Sequence, residues 1–254
     1  MTEFVDLESA KRASGVRLVT VSGVPSPWSE SAKGILRLLE IPFVAVRLEP
    51  GDKSVREWTR MRNAPVVMLE GEPARAGWAE ILELAERIAP PTSKSIVPTS
   101  AAERVRMFGL SHEVLGEGGL VWSARQLTIA KGLETDGARG FPTMVATYLG
   151  KRYGHASERA AAAEVRVSEG WTLLAEALGN REYFFFDDRP SALDVYAAAA
   201  VNLFALPSED QCRMWPPIRA AFESMRGAMA EPPASLLALR ERMYARHLEL
   251  PIVT

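Results

Sequence analysis

The chain has 254 residues, and its formal net charge of −2 arises from 30 basic and 32 acidic side chains. This length fits one large domain or two domains of ordinary size, and a hydrophobic fraction of 47% is enough to build their cores. The charges are balanced both in the first 88 residues and in the remainder. The composition therefore predicts no nucleic-acid partner and no contact with an anionic membrane.

Cysteine and histidine usage excludes two further classes of site. Cys212 is the single cysteine, so neither an intramolecular disulfide nor a multi-cysteine metal site is expected. The three histidines, His112, His155 and His247, lie far apart and show no zinc-ligand spacing, so no metal is predicted. No segment approaches the ~20 apolar residues of a membrane span, and the first residues lack the apolar core of a signal peptide. A cytoplasmic protein is expected.

The first 88 residues alternate strand and helix patterns. Short β-branched or alternating runs indicate strands, and apolar residues at helical spacing indicate the intervening helices. The predicted order is β-α-β-α-β-β-α, with a parallel pairing of the first two strands. Strands are predicted at 17–21 and 43–48, a hairpin at 65–70 and 72–75, and helices at 29–40, 52–62 and 77–88.

The composition changes after residue 88. Residues 89–100 contain three prolines among small polar side chains, which predicts an extended interdomain linker. Residues 101–254 show no strand pattern, so the second domain is predicted to be all-helical. Three glycines between Glu113 and Gly119 suggest a kink or a close approach of two segments. Helices are predicted at 101–131, 142–150, 158–178, 191–204, 217–229 and 234–248.

The segment 183–196 (YFFFDDRPSALDVY) contains an S-x-x-D capping box formed by Ser191 and Asp194. It resembles the box that opens the core helix in the C-terminal domain of glutathione transferases. The resemblance implies their fold: an α/β thioredoxin-like domain at 1–88, a linker at 89–100 and an all-α helical domain at 101–254. An ordinary capped helix is the alternative interpretation.

A second local motif is the sequence Asn63-Ala64-Pro65-Val66-Val67 ahead of the predicted hairpin. Pro65 matches the position of the cis-proline of thioredoxin-like folds, although a trans proline opening a strand is the alternative. A cis bond there exposes the backbone of the preceding residue to an extended ligand. The resemblance implies that Ala64 and Pro65 hold the cysteinyl part of glutathione.

The loop and helix start at 26–33 (SPWSESAK) is similar to the active-site segments of the cysteine and serine classes of transferase. The similarity places Ser26 at the catalytic position and Trp28 among the glutathione-binding residues. A serine hydroxyl beside a helix N-terminus favours the thiolate form of a bound thiol by donating a hydrogen bond to it. Ser26 is also readable as a plain helix cap, and Ser22 and Ser29 are the other candidate hydroxyls.

The sequence departs from the family where an adjacent Glu-Ser pair usually binds the γ-glutamyl group. Gly77 and Trp78 occupy the matching positions. Trp78 offers neither a carboxylate nor a hydroxyl, whereas Gly77 retains a backbone amide at a helix start that suits a carboxylate. Glu80, one turn further, is a partial substitute.

The resemblance implies a hydrophobic substrate pocket between the domains, and Met107, His112 and Trp122 are its predicted members, with bundle core as the alternative. Phe108, Leu115 and Val121 are further candidates. The leading hypothesis is an enzyme that transfers glutathione, as a substrate and without metal, to a small hydrophobic electrophile. A homodimer is implied as well. The alternative is a transferase-fold protein that binds a ligand or partner without catalysis.

Overall fold

The computed structural model describes residues 2–155 and 157–254, and its N-terminal part is a mixed four-stranded sheet with flanking helices. The strand order is β1-β3-β2-β4, in which β1 and β2 run parallel to β3 and β4 runs antiparallel to β2. The elements are β1 (Glu3–Phe4), α1 (Leu7–Arg12), β2 (Val16–Val21), α2 (Pro27–Leu38), β3 (Phe43–Leu48), α3 (Ser54–Thr59), β4 (Val66–Met68) and α4 (Trp78–Ile88).

The predicted parallel pairing of the first two long strands is confirmed, but the sequence interpretation missed β1 and α1. β1 has only two residues, and α1 begins where the Asp6 carboxylate accepts a hydrogen bond from the Ser9 amide at 2.9 Å. The predicted hairpin strand at 72–75 is wrong as a strand, because it contributes a single bridge between Val67 and Arg75. Pro73 has no amide hydrogen, so the ladder does not extend through it.

The C-terminal part is helical, as predicted. One correction concerns 101–131, which is two helices separated at residues 116–119. A β-carbon on Gly119 would lie 2.6 Å from the carbonyl oxygen of Glu113, so the two segments approach each other closely there. None of the helices in the described residues is long and apolar enough to cross a membrane. The helices are α5 (Ala101–Leu115), α6 (Leu120–Glu134), α7 (Thr143–Tyr153), α8 (Ser157–Leu178), α9 (Ala192–Val201), α10 (Pro216–Glu223) and α11 (Ala234–Arg246).

The largest buried apolar cluster contains residues from both parts of the chain. Leu36 of α2 and Leu82 of α4 belong to the same buried cluster as Leu193 of α9. Every residue of α9 is buried, and α2 packs directly against it. The start of α2 is therefore fixed at the boundary between the two domains, where a loop from the sheet meets the helices.

Candidate functional site

A cavity of about 670 Å³ lies between the sheet domain and the helices. This volume is within the range of ligand-binding pockets. The N-terminal domain contributes the loop before α2, the end of β3 and the segment before β4, and the helical domain contributes α6, α7 and α10. Lining residues include Ser22, Ser26, Trp28, Glu49, Arg56, Arg62, Ala64, Val121, Ala124, Arg125, Thr128, Leu149, Arg152, Tyr153, Trp215 and Ile218.

Ser26 is the N-cap residue of α2 and lines this cavity. Pro27 at the first helical position favours the helix start, because a proline there needs no amide hydrogen. Among the described residues, the Ser26 hydroxyl caps no backbone amide of the helix. It remains available to a ligand at the positive end of the helix dipole.

The other two candidate serines differ in their surroundings. Ser22 also lines the cavity and is largely buried. The Ser29 hydroxyl accepts a hydrogen bond from the Val21 amide at 3.2 Å, is almost inaccessible and lies outside the cavity lining. The structure thus brings Ser22 and Ser26 to the cavity and ties Ser29 to the end of β2.

The Ala64–Pro65 peptide bond is cis, as predicted. Ala64 lines the cavity, while Pro65 lies behind it. The preceding loop is held by α7, because the Arg152 guanidinium donates to Asn63 Oδ1 and to the carbonyl oxygen of Arg62. The backbone next to Pro65 is therefore positioned by the helical domain as well as by the sheet.

Gly77 and Trp78 are not part of the large cavity. Trp78 packs against Phe108 and Tyr196, with ring centroids 5.9 Å and 5.8 Å away. Trp78 and Pro65 border a separate void of only about 10 Å³. The Gly77 amide donates to Glu80 Oε2 at 3.2 Å, so the protein's own carboxylate already occupies the anchor expected for a ligand.

Trp28 lies at the junction of the domains. Its indole Nε1 donates to the carbonyl oxygen of Leu115 at 2.8 Å, which satisfies an otherwise unpaired group at the end of α5. Its ring borders both the large cavity and the small void. Trp28 therefore connects the loop that carries Ser26 to the helical domain.

The three predicted pocket residues lie elsewhere. Met107 is fully buried in the common core, and His112 is exposed on α5. Trp122 packs edge-to-face against Tyr153 and is likewise absent from the cavity lining. From α6 the lining is formed by Val121, which is one of the further candidates, and by Ala124, Arg125 and Thr128. Their spacing of three and four residues places them on one helix face.

Arg125 is the most unusual of these residues, and the sequence interpretation missed it. Its guanidinium carbon lies 4.6 Å, 4.4 Å and 3.8 Å from the ring centroids of Trp28, Trp122 and Tyr153. Its Nε is buried and has no hydrogen-bond partner among the described residues. Burial, with a smaller contribution from the nearby Arg152 cation, lowers the pKa of Arg125 from its usual value to about 10. Its position on the α6 face was the available sequence signal.

No protein-family model matches the chain, and no curated protein does. Solved structures do match at low identity. The β-etherase LigF from Sphingobium sp. strain SYK-6 is 17% identical, with a TM-score of 0.66 over 91% of this chain and 96% of LigF. A rice glutathione transferase in complex with glutathione is 16% identical, with a TM-score of 0.62 over 94% of this chain and 93% of its own. A glutathione S-transferase from Methylobacterium radiotolerans, in complex with glutathione sulfonate, is 18% identical, with a TM-score of 0.59 over 91% of each chain.

Proposed function

We propose that this chain, which has the glutathione transferase fold, transfers glutathione to a small hydrophobic electrophile. The observation that carries the proposal is the Ser26 hydroxyl at the start of α2, which lines the interdomain cavity and makes no capping bond to the helix in the described part of the chain. Ala64, whose backbone precedes the cis-proline, lines the same cavity. A hydrogen-bond donor and the residue before the cis-proline therefore line one cavity.

The chemistry needs a thiolate, because the protonated thiol is a poor nucleophile and a free thiol has a pKa near 8.5. In the proposal, the Ser26 hydroxyl donates a hydrogen bond to the glutathione sulfur, and the N-terminus of α2 adds its partial positive charge. The thiol proton leaves to solvent. The sulfur then forms a bond to an electrophilic carbon, and the group displaced from that carbon departs with the bonding electron pair.

Glutathione is proposed to lie with its cysteinyl backbone paired to Ala64. Pairing with a free backbone edge is a common mode of peptide recognition and depends little on side chains. The γ-glutamyl end lacks the usual partners, since Trp78 is packed against aromatic rings and the Gly77 amide is bonded to Glu80. We therefore expect weak binding of glutathione through this end.

The same two contacts favour a second candidate function. A transferase-fold protein that binds a hydrophobic ligand without catalysis needs the cavity but not the γ-glutamyl anchor. Calorimetric titration with reduced glutathione separates the two candidates. Saturable binding supports the enzyme, and an absence of binding at millimolar glutathione supports the ligand-binding protein. A homodimer and a cytoplasmic location complete the proposal and rest on the resemblance to the family.

The first prediction concerns Ser26→Ala. A hydrogen bond to a charged group contributes about 1.5–3 kcal/mol, so the pKa of the bound thiol should rise by about 1–2 units. Turnover near neutral pH should fall by roughly tenfold to a hundredfold, while the affinity for glutathione changes little. The measurements are the pH dependence of thiolate absorbance and the rate with a chromogenic electrophile such as 1-chloro-2,4-dinitrobenzene.

Ser22→Ala and Ser29→Ala are the matched controls. Ser22 shares the cavity wall with Ser26, whereas Ser29 is bonded to the backbone of β2. If Ser22→Ala loses the activity and Ser26→Ala retains it, the catalytic hydroxyl belongs to Ser22. If all three variants match the parent, serine activation of the thiol is wrong.

A further inference from the structure

The charged groups that line the interdomain cavity are strongly biased towards one sign. Among the described residues the lining includes four arginines, Arg56, Arg62, Arg125 and Arg152, and one carboxylate, Glu49. None of the four arginines is in an ion pair within the described chain. Four arginines against one carboxylate leave about three positive charges. Glutathione in its thiolate form has a net charge of about −2, so it would not neutralise all of them.

Arg125 is the cavity arginine that lies among aromatic rings. Its guanidinium is held against three aromatic rings, which supply cation–π attraction but no negative charge. Arg125 is partly buried and its Nε is fully so, and a charge that is withdrawn from water without a counter-charge costs free energy. Glu117 acts on it only from a distance, without an ion pair or hydrogen bond in the described part of the chain.

A second cation adds to this imbalance. The guanidinium carbons of Arg125 and Arg152 lie 3.8 Å and 5.7 Å from the centroid of the same ring, that of Tyr153. Arg152 is fixed there by its hydrogen bonds to the loop before Pro65. Two like charges around one ring repel each other, and a bound anion relieves the repulsion. Of the other α6 residues on this face, Val121 and Ala124 are apolar, and the Thr128 hydroxyl donates to the carbonyl oxygen of Ala124 at 2.8 Å.

We propose that the electrophilic substrate is an organic acid, in which an apolar body occupies the α6 and α7 side of the cavity and a carboxylate pairs with Arg125. That the bound acid is a substrate rests on the proposed transferase function. That the cavity binds an organic anion does not. Arginine presents a planar fork of donors that matches a carboxylate, so it selects for such a group over a neutral analogue of the same shape.

The experiment uses two fluorescent probes with one aromatic body, in the absence of glutathione. 1-Anilinonaphthalene-8-sulfonate has an anionic group that stands for the carboxylate, and N-phenyl-1-naphthylamine lacks it. A purely apolar cavity prefers the neutral probe, because transfer of a charge from water is unfavourable. We expect the parent to bind the anionic probe about tenfold or more tightly than the neutral probe. A parent that prefers the neutral probe overturns the proposal.

Two variants assign the preference to Arg125. Arg125→Gln should lose the anionic preference by about tenfold or more while it binds the neutral probe as the parent does, which also reports an intact cavity. Arg125→Lys keeps the charge and should retain part of the preference. Arg106→Gln, at an exposed site on α5 outside the cavity lining, makes the same change in net charge and should have no effect. An unchanged preference in Arg125→Gln, or an equal loss in Arg106→Gln, overturns the proposal. The experiment measures binding and not turnover. Its outcome therefore tests the anion site even if the protein is not a transferase.

Discussion

Gly23 lies in the loop that carries Ser26, and its α-carbon faces the indole ring of Trp215. Its φ of 72° is in the left-handed region, and a β-carbon there would lie 2.3 Å from Trp215 Cδ2. The Trp215 amide also donates to the Gly23 carbonyl oxygen at 2.9 Å. Gly23→Ala must therefore displace the ring as well as strain the backbone. We expect it to lower the free energy of unfolding by about 2–3 kcal/mol in urea denaturation and to reduce any Ser26-dependent turnover.

Gly15→Ala separates the strain of the backbone from the clash with the Trp215 ring. Gly15 has a φ of 77°, and a β-carbon added to it would meet nothing within 4 Å. This variant should cost about 1 kcal/mol, since it strains the backbone without a clash. The extra cost in Gly23→Ala should shrink when Trp215 is also replaced by alanine. If Gly15→Ala and Gly23→Ala lower the free energy of unfolding equally, the indole ring of Trp215 moves aside without an energetic cost.

At the scale of the element, burial and hydrogen bonding at the start of α9 act in opposite directions on the pKa of Asp194. The fully buried Asp194 carboxylate accepts bonds from the Ser191 amide at 2.7 Å, the Ser191 hydroxyl at 2.6 Å and the Phe184 amide at 3.1 Å. Burial nevertheless outweighs these donors and raises the pKa of Asp194 from 3.8 to about 6. The folded state therefore binds a proton at this carboxyl more tightly than the unfolded chain does.

This sign predicts that the contribution of Asp194 to the free energy of unfolding rises as pH falls through about 6. Between about pH 7.5 and pH 5, protonation of Asp194 should add on the order of 1 kcal/mol to the free energy of unfolding. Asp194→Asn has no carboxyl to titrate. The free energy of unfolding of the parent should therefore increase relative to that of the variant as pH falls over this interval. Urea denaturation at several pH values measures it. A decrease relative to the variant as pH falls would mean that the three donors outweigh burial.

The elements also show what a sequence can predict. The Ser191–Asp194 box depends on neighbours in the chain and was predicted, whereas the glycines before α6 suggested only a kink or a close approach and one helix was predicted where there are two. The Arg125 site was not predicted, because its rings come from α2, α6 and α7 and meet only in space. Met107 shows the converse problem. An apolar residue on a predicted cleft helix is equally suited to the core, and its burial depends on which face meets α9.

At the scale of the whole molecule, the C-terminal segment crosses from the helical domain to the sheet domain. The carbonyl oxygens of Val253 and Thr254 accept bonds from Lys33 of α2 and Arg47 of β3, both at 2.7 Å. Ile252, which precedes these two residues, forms a β-bridge with Cys212, and its side chain is buried in the common core. The segment thus adds a second connection between domains that already share one core.

This arrangement predicts that the two domains unfold together. Ile252→Ala should lower the free energy of unfolding by about 2–4 kcal/mol while leaving a single transition. Val253→Ala is the control, because its side chain is only half-buried and its bonding carbonyl is retained; it should cost less than about 1 kcal/mol. Coincidence of the tryptophan fluorescence and circular dichroism transitions is the measurement. Two separated transitions in the parent would contradict the prediction.

The interdomain cavity of about 670 Å³ also has a consequence for the kinetics of the proposed reaction. Ser26 and Arg125 line the same space, so the two reactants would be held in adjacent parts of one compartment. Once they are joined, the conjugate makes both sets of contacts but loses translational and rotational freedom only once. It should therefore stay bound longer than either reactant. Product inhibition is the natural outcome, and the departure of the conjugate, more than the formation of its carbon–sulfur bond, should limit the rate of each cycle.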